Sequence, residues 1–274
     1  MDILSMIASL AYGYRDNFEN LPQNTTSMKR YALITGASRG IGRAIAVELA
    51  KDGCSILLNY KSNHAAAEET KRLIEEAGGE AELMPFDVSQ PDAINAALDA
   101  WFAAHPDEYI DVLVNNAGIV DDEIMLMMEP EQWHRVIDVN LNGFFYCTRR
   151  VIEGMVENHH RRIINISSIS GQTGYPGKVN YAAAKSALIG VTKTLATELA
   201  SKQVTVNAVA PGMTDTDIFK QSQEYTSNEY LDVAKYPMRR LCRPEEVAYL
   251  VSFLCSNRAD YISGQVIGIN GAAL

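Results

Sequence analysis

Ser168, Tyr181 and Lys185 have the types and the spacing to move a proton. Tyr181 and Lys185 lie in a stretch, Val179 to Leu199, whose pattern is helical, so phenol and ammonium share one face, one turn apart. A tyrosine ordinarily ionises at about pH 10. A neighbouring ammonium stabilises the phenolate and is expected to bring that value toward neutrality. Tyr181 would then give a proton to a carbonyl oxygen, or take one from an alcohol. Ser168, just past an apolar strand at Arg162 to Ser167, is placed to hold the same oxygen. A Tyr-x-x-x-Lys pair alone is common on helix surfaces; its weight here comes from what precedes it.

The stretch Thr35 to Gly42 reads Thr-Gly-Ala-Ser-Arg-Gly-Ile-Gly between an apolar strand, Tyr31 to Thr35, and a helical pattern, Arg43 to Lys51. A glycine-rich turn in that setting is a pyrophosphate site. Gly36 permits the tight turn, and Gly40 and Gly42 let backbone approach a ligand and helix approach sheet. Ser38, Arg39 and Ile41 complete the turn, and free helix amides face the phosphates. The second strand ends Asn59-Tyr60-Lys61-Ser62, with no acid to hold a ribose hydroxyl. Arg39 with Lys61, and Ser62 or Asn59, would instead attract a 2′-phosphate, so the expected cofactor is NADP(H) rather than NAD(H).

These residues need a frame. The chain has 274 residues, 47% of them hydrophobic, enough for one sizeable core. From Met28 onward strands and helices alternate. Strands are expected at Ser55–Asn59, Ala81–Phe86, Val112–Asn115, Thr205–Val209 and Gln265–Ile269 besides those above. Helices are expected at Asn63–Ala77, Pro91–Ala104, Pro130–His134, Asn140–Glu157 and Pro244–Leu254. Such alternation predicts an α/β fold, a parallel sheet covered by helices on both faces. Its ligands bind at the carboxyl ends of the strands, where Asp87-Val88, Asn115 to Gly118 (with Ala117), Ser168, and Pro211-Gly212 followed by Thr214 fall. Residues 1–27 stand apart as a flexible or loosely docked extension to a single domain, 28–274. Their apolar run is too short to span a bilayer, and Asp2 replaces the basic start of a secretory signal. A net charge of −10 argues against a nucleic-acid surface. The four cysteines have no metal spacing and read as reduced, packed thiols of a cytoplasmic protein.

In motif order, from Thr35–Gly42 through Asp87, Asn115-Asn116-Ala117-Gly118, Asn140, Ser168, Tyr181, Lys185 and Pro211-Gly212, the chain resembles the short-chain dehydrogenases/reductases from Met28 to Leu274. The resemblance implies a Rossmann-like, doubly wound, seven-stranded parallel sheet in the order 3-2-1-4-5-6-7. It also implies an Asn140-Ser168-Tyr181-Lys185 tetrad in which Asn140, rather than nearby Asn142, holds a proton-relay water beside Lys185. Lys185 would also hold the nicotinamide ribose, Asp87 and Val88 the adenine, and Asn115 the adjoining ribose. No metal is implied.

The phrases Val179 to Lys185, Val204 to Gly212 and Pro237 to Val266 resemble 3-oxoacyl-acyl-carrier-protein reductases in particular, and less closely reductases of polyketide and aryl-polyene synthesis. The implied activity is NADPH-dependent reduction of a 3-oxoacyl thioester to the (3R)-hydroxyl. The alternatives are reduction of a free ketone, sugar or steroid, or nucleotide sensing without catalysis. Residues 119–123, Ile-Val-Asp-Asp-Glu, depart from the threonine-arginine-aspartate common in that group. Docking of an acidic carrier protein would use His159 to Arg162 and Lys202, and Arg239 and Arg240 would be gate or surface residues. A homotetramer is implied, and Leu188, Val191 and Leu195 on the helix of Tyr181, with the apolar last segment Gln265 to Leu274, are read as part of its buried surface.

Overall fold

The computed structural model describes residues 29–158, 161–217, 219 and 237–273. The extension with Met28, His159 and His160 of the basic patch, and most of the polar stretch 213–236 lie outside the described residues.

Seven parallel strands form one sheet in the order β3-β2-β1-β4-β5-β6-β7. They are β1 (Arg30–Ile34), β2 (Cys54–Tyr60), β3 (Glu80–Pro85), β4 (Ile110–Asn115), β5 (Arg162–Ile166), β6 (Thr205–Pro211) and β7 (Val266–Ile269). Interior strands β2, β4, β5 and β6 are buried along their whole length, as a parallel sheet covered on both faces requires, whereas edge strand β3 alternates. On one face α1 (Gly40–Lys51), α2 (His64–Glu76) and α8 (Pro244–Cys255) pack Ile45, Leu49, Ile74, Val251 and Leu254 against Ile34, Ile56 and Val114. On the other, α3 (Pro91–Ala104), α5 (Gly143–Asn158) and α7 (Val179–Leu199) pack Leu98, Trp101, Val151, Met155 and Leu199 against Leu33, Leu113 and Ile163.

The expected strands and helices are present, their ends displaced by up to about three residues, as capping and fraying lead one to expect. Two features depart from expectation. A short helix, α6 (Ser170–Thr173), follows β5. The helical segments expected at Pro130–His134 and Asn140–Glu157 are one column, α4 (Pro130–Ile137) running through a π-helical turn (Asp138–Asn142) into α5. Among the described residues no helix is long and apolar enough to cross a membrane, and Cys54, Cys147 and Cys255 are buried.

Candidate active site

A cleft of about 1170 Å³ runs along the carboxyl ends of the strands, from the glycine turn to the loop before α7. That is above the roughly 300–1,000 Å³ of an ordinary small-molecule pocket and leaves room for an extended ligand. Gly36 takes φ +64°, and a Cβ on it would stand 3.0 Å from Ala117 Cα. A Cβ on Gly42 would lie 2.3 Å from the Gly36 oxygen and 2.5 Å from Asn116 Nδ2, so no other residue fits there. Thr35 and Asn116 lock this turn to the end of β4. Thr35 Oγ1 accepts from the amides of Asn116 and Ala117 at 2.9 and 3.0 Å, and Asn116 Nδ2 donates to the Thr35 oxygen at 2.8 Å. Helix α1 starts without a side-chain cap. By contrast, Asn63 caps α2, and Glu246 reaches back to the Arg243 amide at the start of α8. The first amides of α1 stand beside the glycine turn in the cleft, and with the helix dipole they fit a diphosphate.

At the adenine end Val88 packs so tightly on Gly143 that a Cβ there would meet it at 2.9 Å. Lys61 pairs with Asp87 at 2.6 Å, and Arg39 with Asp217 at 3.2 Å. Burial works to raise the Asp87 pKa, but Lys61 and Ser89 together outweigh it and hold the carboxyl below its ordinary value. Asn59 is otherwise engaged. Its Oδ1 accepts from the Gly36 amide at 3.1 Å, and its Nδ2 donates to the oxygens of Met84 and Phe86 at 3.1 and 3.0 Å. Both amide hydrogens are spent on the sheet, so its side chain braces the glycine turn and is not a phosphate ligand, which corrects the expectation.

At the other end Ser168, 8% exposed, lies beside Tyr181, which keeps part of its surface open to the cleft. Lys185, 3% exposed, donates to the Ile166 oxygen at 2.8 Å. Asn140 donates through Nδ2 to the oxygens of Ile119 and Val136, both at 2.9 Å, while its buried Oδ1 has no partner. That oxygen and Lys185 Nζ converge above Gly118. A Cβ placed there would be 2.6 Å from Asn140 Oδ1 and 3.4 Å from Lys185 Nζ. A small site bounded by a donor and an orphaned acceptor fits one water. Asn142 instead donates to Asp138 at 2.7 Å and takes no part.

The expected lowering of the Tyr181 pKa is not found in the chain alone. Burial pushes the phenol up to about 12, a hydrogen bond with Ser168 pulling it down and the Asp122 charge adding to the rise. Burial also pushes Lys185 down to about 8. The four-residue spacing reveals the proximity of the two groups but not the burial that opposes the charged form of each.

With two exceptions, Asn115 and Asn140, the residues expected to act in catalysis or to hold the cofactor line the cleft. Asn140 sits just behind it. Asn115 turns inward, donating to Thr148 Oγ1 at 3.1 Å and Asn165 Oδ1 at 3.0 Å, so the expected ribose contact is not made by its side chain. Two residues of the basic patch are engaged within the chain. Arg162, 2% exposed, pairs with Asp260, and Arg161 lies on the Tyr109 ring, 4.3 Å from its centroid, and pairs with Asp111 at 3.3 Å. Arg240 grips Glu246 with two bonds of 2.7 Å and braces the start of α8, which makes it a surface brace. Sequence reasoning missed Arg43, which donates to the Ser38 oxygen at 2.7 Å and fixes the glycine turn. It also missed the Asp122–Lys178 ion pair in the cleft wall. Asp122 lay within the noted departure at 119–123, but nothing local pointed to Lys178.

A family model described as enoyl-(acyl carrier protein) reductase, of the short-chain reductase type, matches residues 36–272. A 3-oxoacyl-[acyl-carrier-protein] reductase of Synechocystis sp. is 42% identical over 250 residues, 90% of this chain and 98% of that protein. Reductases of the same name from Staphylococcus epidermidis and Staphylococcus aureus are 39% and 38% identical over 244 residues, 89% of this chain and 98% of theirs. The chain belongs to the short-chain dehydrogenase/reductase family of oxidoreductases.

Proposed function

From that membership we propose that the chain reduces the ketone of a 3-oxoacyl thioester, presented on acyl-carrier protein, to the 3-hydroxyl with NADPH. One observation carries this reading: the hydroxyls of Ser168 and Tyr181 lie side by side in the cleft with Lys185 and Asn140 behind them. Two hydroxyls at one point suit an oxygen on the carbon being reduced. An enoyl group carries no oxygen there, so the names of the relatives fit the site better than the description of the family model.

Ser168 and Tyr181 hold the ketone oxygen. As the carbon accepts hydride, the Tyr181 O–H bond breaks toward that oxygen and an alcohol forms. A phenol near 12 is fully protonated at neutral pH, the form a proton donor needs. Lys185, near 8, exchanges protons readily at neutral pH and restores the phenol through a water held by the orphaned Asn140 Oδ1. NADPH supplies the hydride. The first amides of α1 would hold its diphosphate, Arg39, Lys61 and Ser62 the 2′-phosphate, Val88 the adenine and Lys185 the nicotinamide ribose. The pairs Arg39–Asp217 and Lys61–Asp87 involve mostly exposed cations, and such pairs are worth about 0–1 kcal/mol, so a phosphate can displace the aspartates.

The test compares NADPH oxidation driven by 3-oxoacyl-carrier protein with that driven by free ketones and sugars. Turnover of the carrier-bound substrate is expected. Turnover of free ketones or sugars alone would refute the thioester assignment, and tight NADPH binding without turnover would make the chain a sensor.

A further inference from the structure

Tyr181 is flanked by two lysines on its own helix and cap. Lys178 lies three residues before it with Nζ 5.8 Å from the ring centroid, and Lys185 four residues after it at 5.5 Å. The two are treated differently. Lys178 is paired with Asp122, a carboxylate whose side chain is 3% exposed. Among the described residues Lys185 donates to the Ile166 carbonyl and lies near the neutral Asn140 amide. We infer that Asp122 is a positioning residue for the reaction at Tyr181: it cancels the charge of Lys178, leaving Lys185, among the described residues, as the only uncompensated cation beside the phenol.

Mechanical need does not explain the pair. The loop of Asp122 is already joined to the start of α7, because the Glu123 amide donates to the Gly177 oxygen at 2.9 Å and Asn180 Nδ2 to the Asp121 oxygen at 2.9 Å. A neutral amide at 122 would tie the loop as well. It would also avoid a buried carboxylate oxygen, Asp122 Oδ1, that has no partner. What a neutral residue would not supply is the negative charge, and the field of Asp122 does raise the phenol pKa. Asp122 and Glu123 face the site from the loop after β4, and Tyr175 from the loop before α7. Glu131, His134, Arg135 and Asp138 line the cleft from α4 and the π turn, and Asp217 from the segment after β6. Among these only Asp122 acts by its charge on the Tyr181 phenol, and the cations over the ring are Lys178 and Lys185.

The inference rests on Tyr181 being the proton donor, and charge reversal tests it. Asp122→Asn leaves a cation 5.8 Å from the ring, so the alkaline limb of the reduction pH profile should fall by about one pH unit, the low end for a charge at that distance. The double variant Asp122→Asn with Lys178→Met removes both charges and should return the limb to the parent position. Lys178→Gln keeps a donor for Asp122 while removing the cation, and should move the limb upward; it carries the test should Asp122→Asn not fold. A limb unmoved in Asp122→Asn, displaced equally in the double variant, or unmoved in Lys178→Gln overturns the inference. The ring-carbon resonance of Tyr181, assigned against Tyr181→Phe in the NADP-bound chain, reports the same order without substrate. It therefore still answers if 3-oxoacyl thioesters prove not to be substrates.

Discussion

Tyr181 and Arg39 show how far single residues can be read. Tyr181→Phe removes the donated proton but leaves the ring, Ser168 and Lys185, so kcat should fall about 10²- to 10⁴-fold, the usual worth of general acid catalysis. NADPH affinity, measured by fluorescence titration, should be unchanged, and an unchanged kcat would remove the phenol from the chemistry. The same phenol gives the pH sign. A group near 12 acts as an acid at neutral pH, whereas oxidation of the 3-hydroxyl needs its phenolate, so oxidation should rise with pH while reduction is flat and then declines. Arg39→Gln should weaken NADPH more than NADH. A charge-assisted contact is worth about 1.5–3 kcal/mol, roughly ten- to a hundred-fold. Arg39 is 61% exposed and already paired with Asp217, which puts the expected effect near tenfold. Equal weakening of both cofactors would free Arg39 from the 2′-phosphate.

Elements decide where these residues point, and here the sequence was uneven. Strand-helix alternation was legible because buried parallel strands such as Cys54–Tyr60 are built around short apolar runs, here Ile56-Leu57-Leu58, and Tyr181 and Lys185 were legible because helical spacing alone puts them on one face. Asn115 and Asn116 are adjacent and chemically identical, yet one turns into the core toward Thr148 and Asn165 while the other braces the glycine turn; only the sheet pairing decides which. The π turn that puts Asn140 above Gly118 leaves no local signal either, since its residues have ordinary helical patterning. Helix α6 is a further case. It presses Gly171 onto the middle of α7, where a Cβ would stand 2.7 Å from the Lys185 carbonyl carbon and 2.8 Å from the Ser186 amide. Backbone cannot yield as a side chain does, so Gly171→Ala must push α7 away from β5. Overpacking of this kind costs about 1–3 kcal/mol. A lower melting temperature is expected together with a kcat loss larger than any change in NADPH affinity, because Lys185 moves and the glycine turn does not. Normal melting and turnover would show that the contact is loose.

For the whole molecule, Arg161 and Arg162 face inward toward Asp111 and Asp260, so these two residues of the suggested patch are not offered to an acidic carrier protein. Two of the apolar side chains read as a subunit surface also need reassignment, while Val191 stays half-buried on α7. Leu188 is buried at 1% exposure and Leu195 packs into the core beneath α5 and α3, so both complete the single chain. Other residues take their place. Phe145 on α5 is 58% exposed, Val179 opens α7 at the surface, and edge strand β7 is only partly covered. A large aromatic left in water on a long helix favours a partner, since covering such a side chain is worth about 1.5–3 kcal/mol, and a two-fold axis counts it twice. We therefore predict a homotetramer in which α5 meets its counterpart through Phe145. Light scattering at micromolar concentration should give about four times the 30.2 kDa chain mass. Phe145→Glu, which places two carboxylates against each other at such an axis, should reduce the mass to that of a smaller assembly while leaving the melting of the single chain nearly unchanged. A monomeric parent chain would refute the assembly. A tetramer unaffected by Phe145→Glu would keep the assembly but move its interface away from α5.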